Sequence, residues 1–521
     1  MEIPDDIWIY IARFLAPQTL RGLYSVNRVF FELAFDERYR DISFVQIDSR
    51  SLRKVQRLMD PFVAKRVRRL RINPVWFKDA ETTNLPFNDD SDVPGCFQGV
   101  QLSVPSLVRS LSTRLQITQK PLRPLHRIPR ELIHQYSNEI ISGFTNVISF
   151  VIVTRWVPHP KNLLPFLAGS WNTFGASLRK ITLNAPLGEF QALLPPADML
   201  VCLEELTLRF VTDMSRTDAD ADTNMLKNVI VPFVNQFSTR LLRLNIMSSA
   251  LGDHSCVFLD MNQCPNLTSL SLDIAFYPPL LSKPEGLTKV LRDHADNLQH
   301  VRLQSHESFR LPSREGTSHD FFCRWMQEIV KDDDILANLQ SLVIEPTNDL
   351  ALPSSLETAL PLIQRSCDSL TTLILTDRCL KFEDVTTLAK AFAHRPPMRG
   401  LKNFHVKTVS LNPQLFDMFA ENLKGLDDLQ ISFLALLSDV KKEGIMEVDD
   451  EATDATDIKP FLKQMEGRLY PNWHLYSLWV WQLSHMTTQL AHNILSALTS
   501  SIPSLRMFHR ADHANWHALF N

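Results

Sequence analysis

One six-residue pattern, apolar-x-x-apolar-x-apolar, recurs along most of the chain. Its clearest copies are LRKITL at Leu178, LEELTL at Leu203, LLRLNI at Leu241, LTSLSL at Leu267, LQHVRL at Leu298, LQSLVI at Leu339, LTTLIL at Leu370, LKNFHV at Leu401 and LDDLQI at Leu426. Weaker copies are VRRLRI at Val67, VISFVI at Val147, LYSLWV at Leu475 and IPSLRM at Ile502. From Leu178 to Leu426 successive starts lie 25, 38, 26, 31, 41, 31, 31 and 25 residues apart, by subtraction of those positions. Self-similarity at such a period marks a repeat array. Each hexamer alternates as a strand does, and the intervening segments show helical spacing: in EDVTTLAKAFAHR, Val385, Leu388, Ala389 and Phe392 fall on one side. The predicted unit is a strand followed by a helix, which places the chain in the α/β class. One such unit cannot bury its apolar face alone, so neighbours must stack and leave the non-core hexamer positions on a shared strand surface.

The first forty residues follow another rhythm. Pro4 suits a first helical turn, and Asp5 and Asp6 place negative charge at the positive end of the helix dipole. Ile7, Ile11, Phe14 and Leu15 make one apolar stripe before Pro17 interrupts it. Leu20, Leu23 and Val26 define a second helix, Asn27 is a cap, and Val29, Phe30 and Leu33 begin a third. Three short helices carrying this many large apolar groups make a poor independent core.

The order apolar-Pro-x-acidic-Ile, then Ile, Phe-Leu, a Pro-containing turn, a Leu-rich helix and VNRVF resembles the F-box, whose pattern reads Leu-Pro-x-Glu-Ile and ends Val-Cys-Arg-x-Trp. Ile3 stands for the family's leucine, Asn27 for its cysteine and Phe30 for its tryptophan. The resemblance covers residues 1–45. It implies a face that docks on the adaptor Skp1 and, through it, on a cullin-RING ubiquitin ligase. The candidates for that face and the small core behind it are Ile3, Pro4, Ile7, Ile11, Leu15, Leu20, Leu23, Val26 and Phe30.

The repeats resemble the leucine-rich-repeat solenoids that many F-box proteins carry. Where that family usually has Asn or Cys, three residues beyond the last apolar position, this chain has Ala275, Arg378 and Pro186. An irregular solenoid is expected in place of a uniform horseshoe. The organisation expected is an F-box at 1–45, a linker and first repeat strand at 46–78, a partly flexible insertion at 79–140, and a solenoid at 141–521. The last contains an acidic loop at 438–457 and ends in a C-terminal cap.

Composition narrows the chemistry. A formal charge of −4 provides no overall field for nucleic acid. Cys96, Cys202, Cys256, Cys264, Cys323, Cys367 and Cys379 are scattered and never form C-x-x-C, so neither a disulfide framework nor a zinc knuckle is indicated. Acidic residues stand where a secretory signal carries positive charge, and no apolar run reaches the roughly 20 residues of a membrane span. A cytoplasmic or nuclear protein is expected, with neither nucleic acid nor membrane among its partners.

No phosphate-cradling glycine motif and no G-x-S-x-G elbow occur. His509, His513 and His517 share the spacing of one helix face but lack an H-E-x-x-H arrangement, and a capping helix with surface histidines is the favoured reading. DADAD at Asp218–Asp222 has Thr223 where a calcium loop needs Gly and Val229 where it needs Glu, so a solvated loop is expected. KRVRRLR at Lys65 to Arg71 has the composition of a nuclear signal but fits the hexamer better, with Arg68, Arg69 and Arg71 outward. The sequon at Asn266 falls in a predicted strand.

The function expected from these readings is that of a non-enzymatic substrate receptor needing no cofactor or metal. Its F-box would hold Skp1 while the concave repeat face holds a protein substrate. Candidate substrate contacts are Arg179, Lys180, Glu204, Glu205, Gln299, His300, Arg302, Lys402, Asn403 and His405, joined by Thr268, Ser269 and Ser271. Their mixed signs suit a specific protein surface. The competing reading is a leucine-rich-repeat interaction scaffold outside ubiquitin transfer, its N-terminal helices serving only as a cap.

Overall fold

The computed structural model describes residues 4–45, 49–73, 133–154, 163–212, 218–305, 317–346, 356, 359–396, 400–440, 458–483 and 488–509. The predicted insertion at 79–140 and acidic loop at 438–457 lie largely outside them. The chain divides into two compact units, Met1–Val147 with Val157–Phe174, and Ile148–Trp156 with Gly175–Asn521.

In the first unit the opening segment forms α1 (Asp5–Ala12), α2 (Pro17–Gly22) and α3 (Arg28–Tyr39). Asn27 caps α3 as its sequence position predicts, its Oδ1 accepting the Phe30 N–H at 2.8 Å. A strand that the hexamer scan misses, β1 (Asp41–Phe44), follows at once and pairs in parallel with β2 (Arg69–Ile72). Between them run α4 (Ser49–Leu58) and α5 (Pro61–Ala64), and Asp60 caps α5 through the Phe62 N–H.

Arg66 ties these parts together. Its buried guanidinium bonds the carboxylates of Glu32 and Asp36 and donates to the Glu32 and Phe62 carbonyls, both at 3.3 Å. It also lies over the rings of Phe62, at 4.3 Å, and Phe35, at 5.2 Å. A planar, always-charged fork meets all of these partners at once, which an ammonium cannot do.

The second unit is built on an open parallel sheet whose strands follow chain order. They are β3 (Ser149–Val153), β4 (Lys180–Pro186), β5 (Glu205–Val211), β6 (Arg243–Ser248), β7 (Ser269–Ile274), β8 (His300–Ser305), β9 (Ser341–Pro346), β10 (Thr372–Leu380), β11 (Asn403–Leu411), β12 (Asp428–Leu436), β13 (Ser477–Gln482) and β14 (Met507–His509). From β4 to β13 a helix follows each strand, as the alternating periods predict; the predicted helix in EDVTTLAKAFAHR is Phe382–Lys390.

The apolar hexamer positions from Leu178 to Ile431 are at most 2% exposed, so the pattern in the sequence is the core of the fold. A regular backbone joint marks each strand start. The Arg179 carbonyl accepts the N–H groups of both Glu204 and Glu205, the Glu204 carbonyl those of Leu242 and Arg243, and so on through Tyr476, which accepts Arg506 and Met507. One carbonyl satisfying two successive donors holds register between neighbours, and those of Leu242 and Gln340 also accept the Thr268 and Thr371 hydroxyls.

These joints correct two sequence readings. In the last copy Leu505 occupies the first core position, three residues after the predicted Ile502, because Met507 opens β14. Asn266 lies in the turn before β7, its Nδ2 bonded to the Thr239 carbonyl at 2.6 Å, and so is not in the strand. The main irregularity of pairing is in β10. Leu375 pairs with Val406 and Cys379 with Lys407, so residues 376–378 bulge out and carry Arg378 into a fully enclosed position.

Candidate docking surfaces

The head leaves several large apolar side chains open. Phe30 is 3% exposed and meets the edge of Trp8 at 5.5 Å, while Leu15, Leu20 and Leu23 are half-buried. Pro4, Ile7, Ile11 and Val26 are exposed, with Ile7 at 45% and Val26 at 54%. Ile3 lies outside the described residues. Sequence reading missed further members of the exposed set: Ile9, Tyr10, Tyr24 and Phe31, with Tyr10 against Phe14 at 5.0 Å. Ile7, Tyr10, Ile11 and Phe14 share the stripe that helical spacing defines, and Phe14 is 73% exposed. Exposed apolar groups gathered in this way mark an interaction surface.

The non-core side of the sheet is the second surface. Arg179, Lys180, Asn403 and His300 are exposed, and Glu204, Glu205, Thr268, Ser269, Ser271, Gln299, Arg302 and Lys402 are partly so. Several of the candidate charges pair with one another. Arg179 meets Glu204 at 3.6 Å, while Lys180 at 3.1 Å and Arg243 at 3.3 Å share Glu205 across three strands. Arg302 pairs with Glu345 and Lys402 with Asp427. Arg243, Glu345 and Asp427 were not singled out in the sequence, because register alone brings them opposite their partners. Partial burial and the neighbouring Arg243 hold the His300 pKa below its ordinary value.

His405 departs from expectation. It is 4% exposed because β11 is covered on both sides from Phe404 to Thr408, so it does not belong to the open surface. Burial, aided by the Lys407 charge, pushes its pKa down to about 4.

Among the described residues no cluster of three or more His, Cys, Asp or Glu side chains is placed to hold a metal ion. His513 and His517 lie outside those residues, and the backbone at His509 is strand, so helical spacing does not begin there. The DADAD run is a capped helix start instead of a loop: Asp218 accepts the N–H groups of Asp220 and Ala221 ahead of the helix Ala219–Met225.

A Ser–His pair that spacing did not reveal occurs beyond β6. Nδ1 of His254 donates to the Leu280 carbonyl at 3.2 Å, which leaves Nε2 to accept the Ser248 hydroxyl at 2.5 Å. Both residues are buried, and the pair fastens one repeat to the next.

No protein-family model matches this chain, and no curated protein matches it. Among the described residues no helix is long and apolar enough to cross a membrane.

Proposed function

We propose that this protein is the substrate-recognition subunit of an SCF-type cullin-RING ubiquitin ligase. On this reading the head is an F-box that docks Skp1, and the second unit is a leucine-rich-repeat array that binds a protein substrate on the strand side. The reading rests on the exposed apolar stripe of Ile7, Tyr10, Ile11 and Phe14, with Val26 of the F-box pattern also exposed. Water is excluded from such a surface when a partner covers it.

The ligase activity itself needs no catalytic group here. Holding a substrate near a ubiquitin-charged enzyme raises the effective concentration of its lysines, which is the whole contribution of a receptor. The mosaic of paired and open charges on the sheet suits one complementary protein surface, and the expected compartment is cytoplasm or nucleus.

Burying one large aliphatic side chain contributes roughly 1.5–3 kcal/mol, and about 1.4 kcal/mol is tenfold in affinity. Ile7→Asp should therefore weaken Skp1 co-purification at least tenfold while thermal unfolding stays unchanged. Undiminished capture by the variant would remove the head from the interface. A repeat-based scaffold outside ubiquitin transfer is then the remaining reading.

A further inference from the structure

We infer that Arg243, Ser269 and His300, register neighbours on β6, β7 and β8, form a subsite for one carboxylate of a bound protein. The inference rests on the proposed strand-side substrate surface and not on Skp1 docking. Parallel pairing sets Arg243 opposite Ser269 and Ser269 opposite His300, all on the non-core side. Their hexamers, LLRLNI, LTSLSL and LQHVRL, hold two Arg and one His and no Asp or Glu, in a chain whose formal charge is −4.

All three side chains are open to a ligand. Arg243 and His300 are exposed and Ser269 is half-buried. Among the described residues, the Ser269 hydroxyl and the two His300 ring nitrogens have no hydrogen-bond partner. Arg243 engages only Nη1, on Glu205 at 3.3 Å, while Lys180 holds the other oxygen of that carboxylate at 3.1 Å. Two cations thus share one anion, which leaves Nε and Nη2 of Arg243 for another. The remaining cation of these three strands, Arg302, is engaged by Glu345.

Spacing and charge select the ligand. Paired strands lie about 4.8 Å apart, so the Cα atoms of Arg243 and His300 are about 10 Å apart. A carboxylate with one hydrogen bond to each oxygen spans about 8 Å, and so meets a guanidinium and an imidazole together with the serine hydroxyl between them. Partial burial and the Arg243 charge keep His300 below its ordinary pKa, so the ring is neutral at pH 7 and offers a single N–H. The subsite then carries one positive charge, which matches a carboxylate. A phosphate dianion exceeds that charge and is repelled by Glu205 beside it.

The test follows the Cε1 resonances of the full chain, isotope-labelled at histidine, with His300 assigned from its loss in His300→Gln. The probe is the peptide acetyl-Ala-Glu-Ala-amide. It should move the His300 resonance saturably and raise the protonation midpoint of that ring by at least about half a unit, since a nearby anion favours the charged form. The exposed His394 and His474 serve as controls and should not respond. Acetyl-Ala-Gln-Ala-amide should have no effect. The same Gln peptide with a free C-terminus tells a main-chain carboxylate from a side-chain one, and a response to either acid upholds the subsite. Arg243→Gln should weaken binding of the Glu peptide by about fivefold or more with its unfolding temperature unchanged, and Arg243→Lys should recover part of that loss. No saturable shift at His300, an equal response to the amidated Gln peptide, an undiminished response in Arg243→Gln, or tighter binding of inorganic phosphate than of the Glu peptide would overturn the inference. None of these outcomes bears on Skp1 capture, which Ile7→Asp tests separately.

Discussion

Replacing Arg66 tests how firmly the third helix of the head is held to its own unit. Arg66→Ala removes ion pairs to Glu32 and Asp36, hydrogen bonds to two carbonyls and stacking on Phe35 and Phe62. The two carboxylates are 38% and 57% exposed, so water re-solvates them and each pair is worth at most about 1 kcal/mol. The cation–π contacts add about 0.5–2 kcal/mol, and the lost packing and carbonyl bonds bring the total to about 2–4 kcal/mol. Hydrogen exchange of the full chain reads this locally. Amides of α3 should exchange about 30- to 1000-fold faster, since about 1.4 kcal/mol is a factor of ten. Arg66→Lys should recover less than half of the loss, because it keeps the charge but not the fork. Amides of β5 to β9 should be unaffected, since coupling in such arrays runs mainly between neighbours. Unchanged exchange in α3 would refute the assignment of Arg66 as its fastening.

Three further outcomes are expected. The unfolded His405 imidazole protonates near 6.5 and the enclosed one only at about 4, so between those values the unfolded state holds more protons and stability rises with pH. That window is worth roughly 3 kcal/mol; His405→Phe should flatten it in melts taken from pH 4 to 7, and an unaltered slope would count against neutral burial. Asn412→Ala removes the cap on the helix Pro413–Asn422, where Oδ1 accepts the Leu415 N–H at 2.9 Å. Denaturant unfolding should show a loss of about 1–2 kcal/mol, and no loss would mean that the cap is dispensable. Burial pushes the Cys264 and Cys379 thiols up to about 11. Iodoacetamide at pH 8 should label exposed Cys202 in the folded protein and those two only on unfolding, read by peptide mass spectrometry.

The repeat was legible because burial in a parallel strand array imposes a strict spacing on large apolar residues, and Leu178, Ile181 and Leu183 obey it without exception. The scan failed where other forces supply the same position. β1 was missed because Tyr39 both ends α3 and fills the first core site of the strand unit, so the polar run around it reads as the end of a helix. The last copy slipped because Ile502 and Leu505 both satisfy an apolar position, and only the backbone joint at Tyr476 separates them.

The candidate surfaces were legible in part. Helical spacing names the large apolar residues of the head but does not divide face from core: Ile7, Ile11 and Val26 are exposed, Phe30 is buried, and Ile9, Tyr10, Tyr24 and Phe31 were missed. Cross-strand ion pairs and the burial of His405 depend on which strands become neighbours and what covers them, which a single hexamer does not encode. Arg66 looked like one base among several in KRVRRLR, yet its place just before the β2 core turns it inward toward α3.

Hydrogen exchange of the full chain with and without purified Skp1 tests the central claim most directly. Protection confined to residues 5–31, centred on Ile7, Ile11 and Val26, is the predicted result. Exchange in those residues that is the same at saturating Skp1 would contradict it.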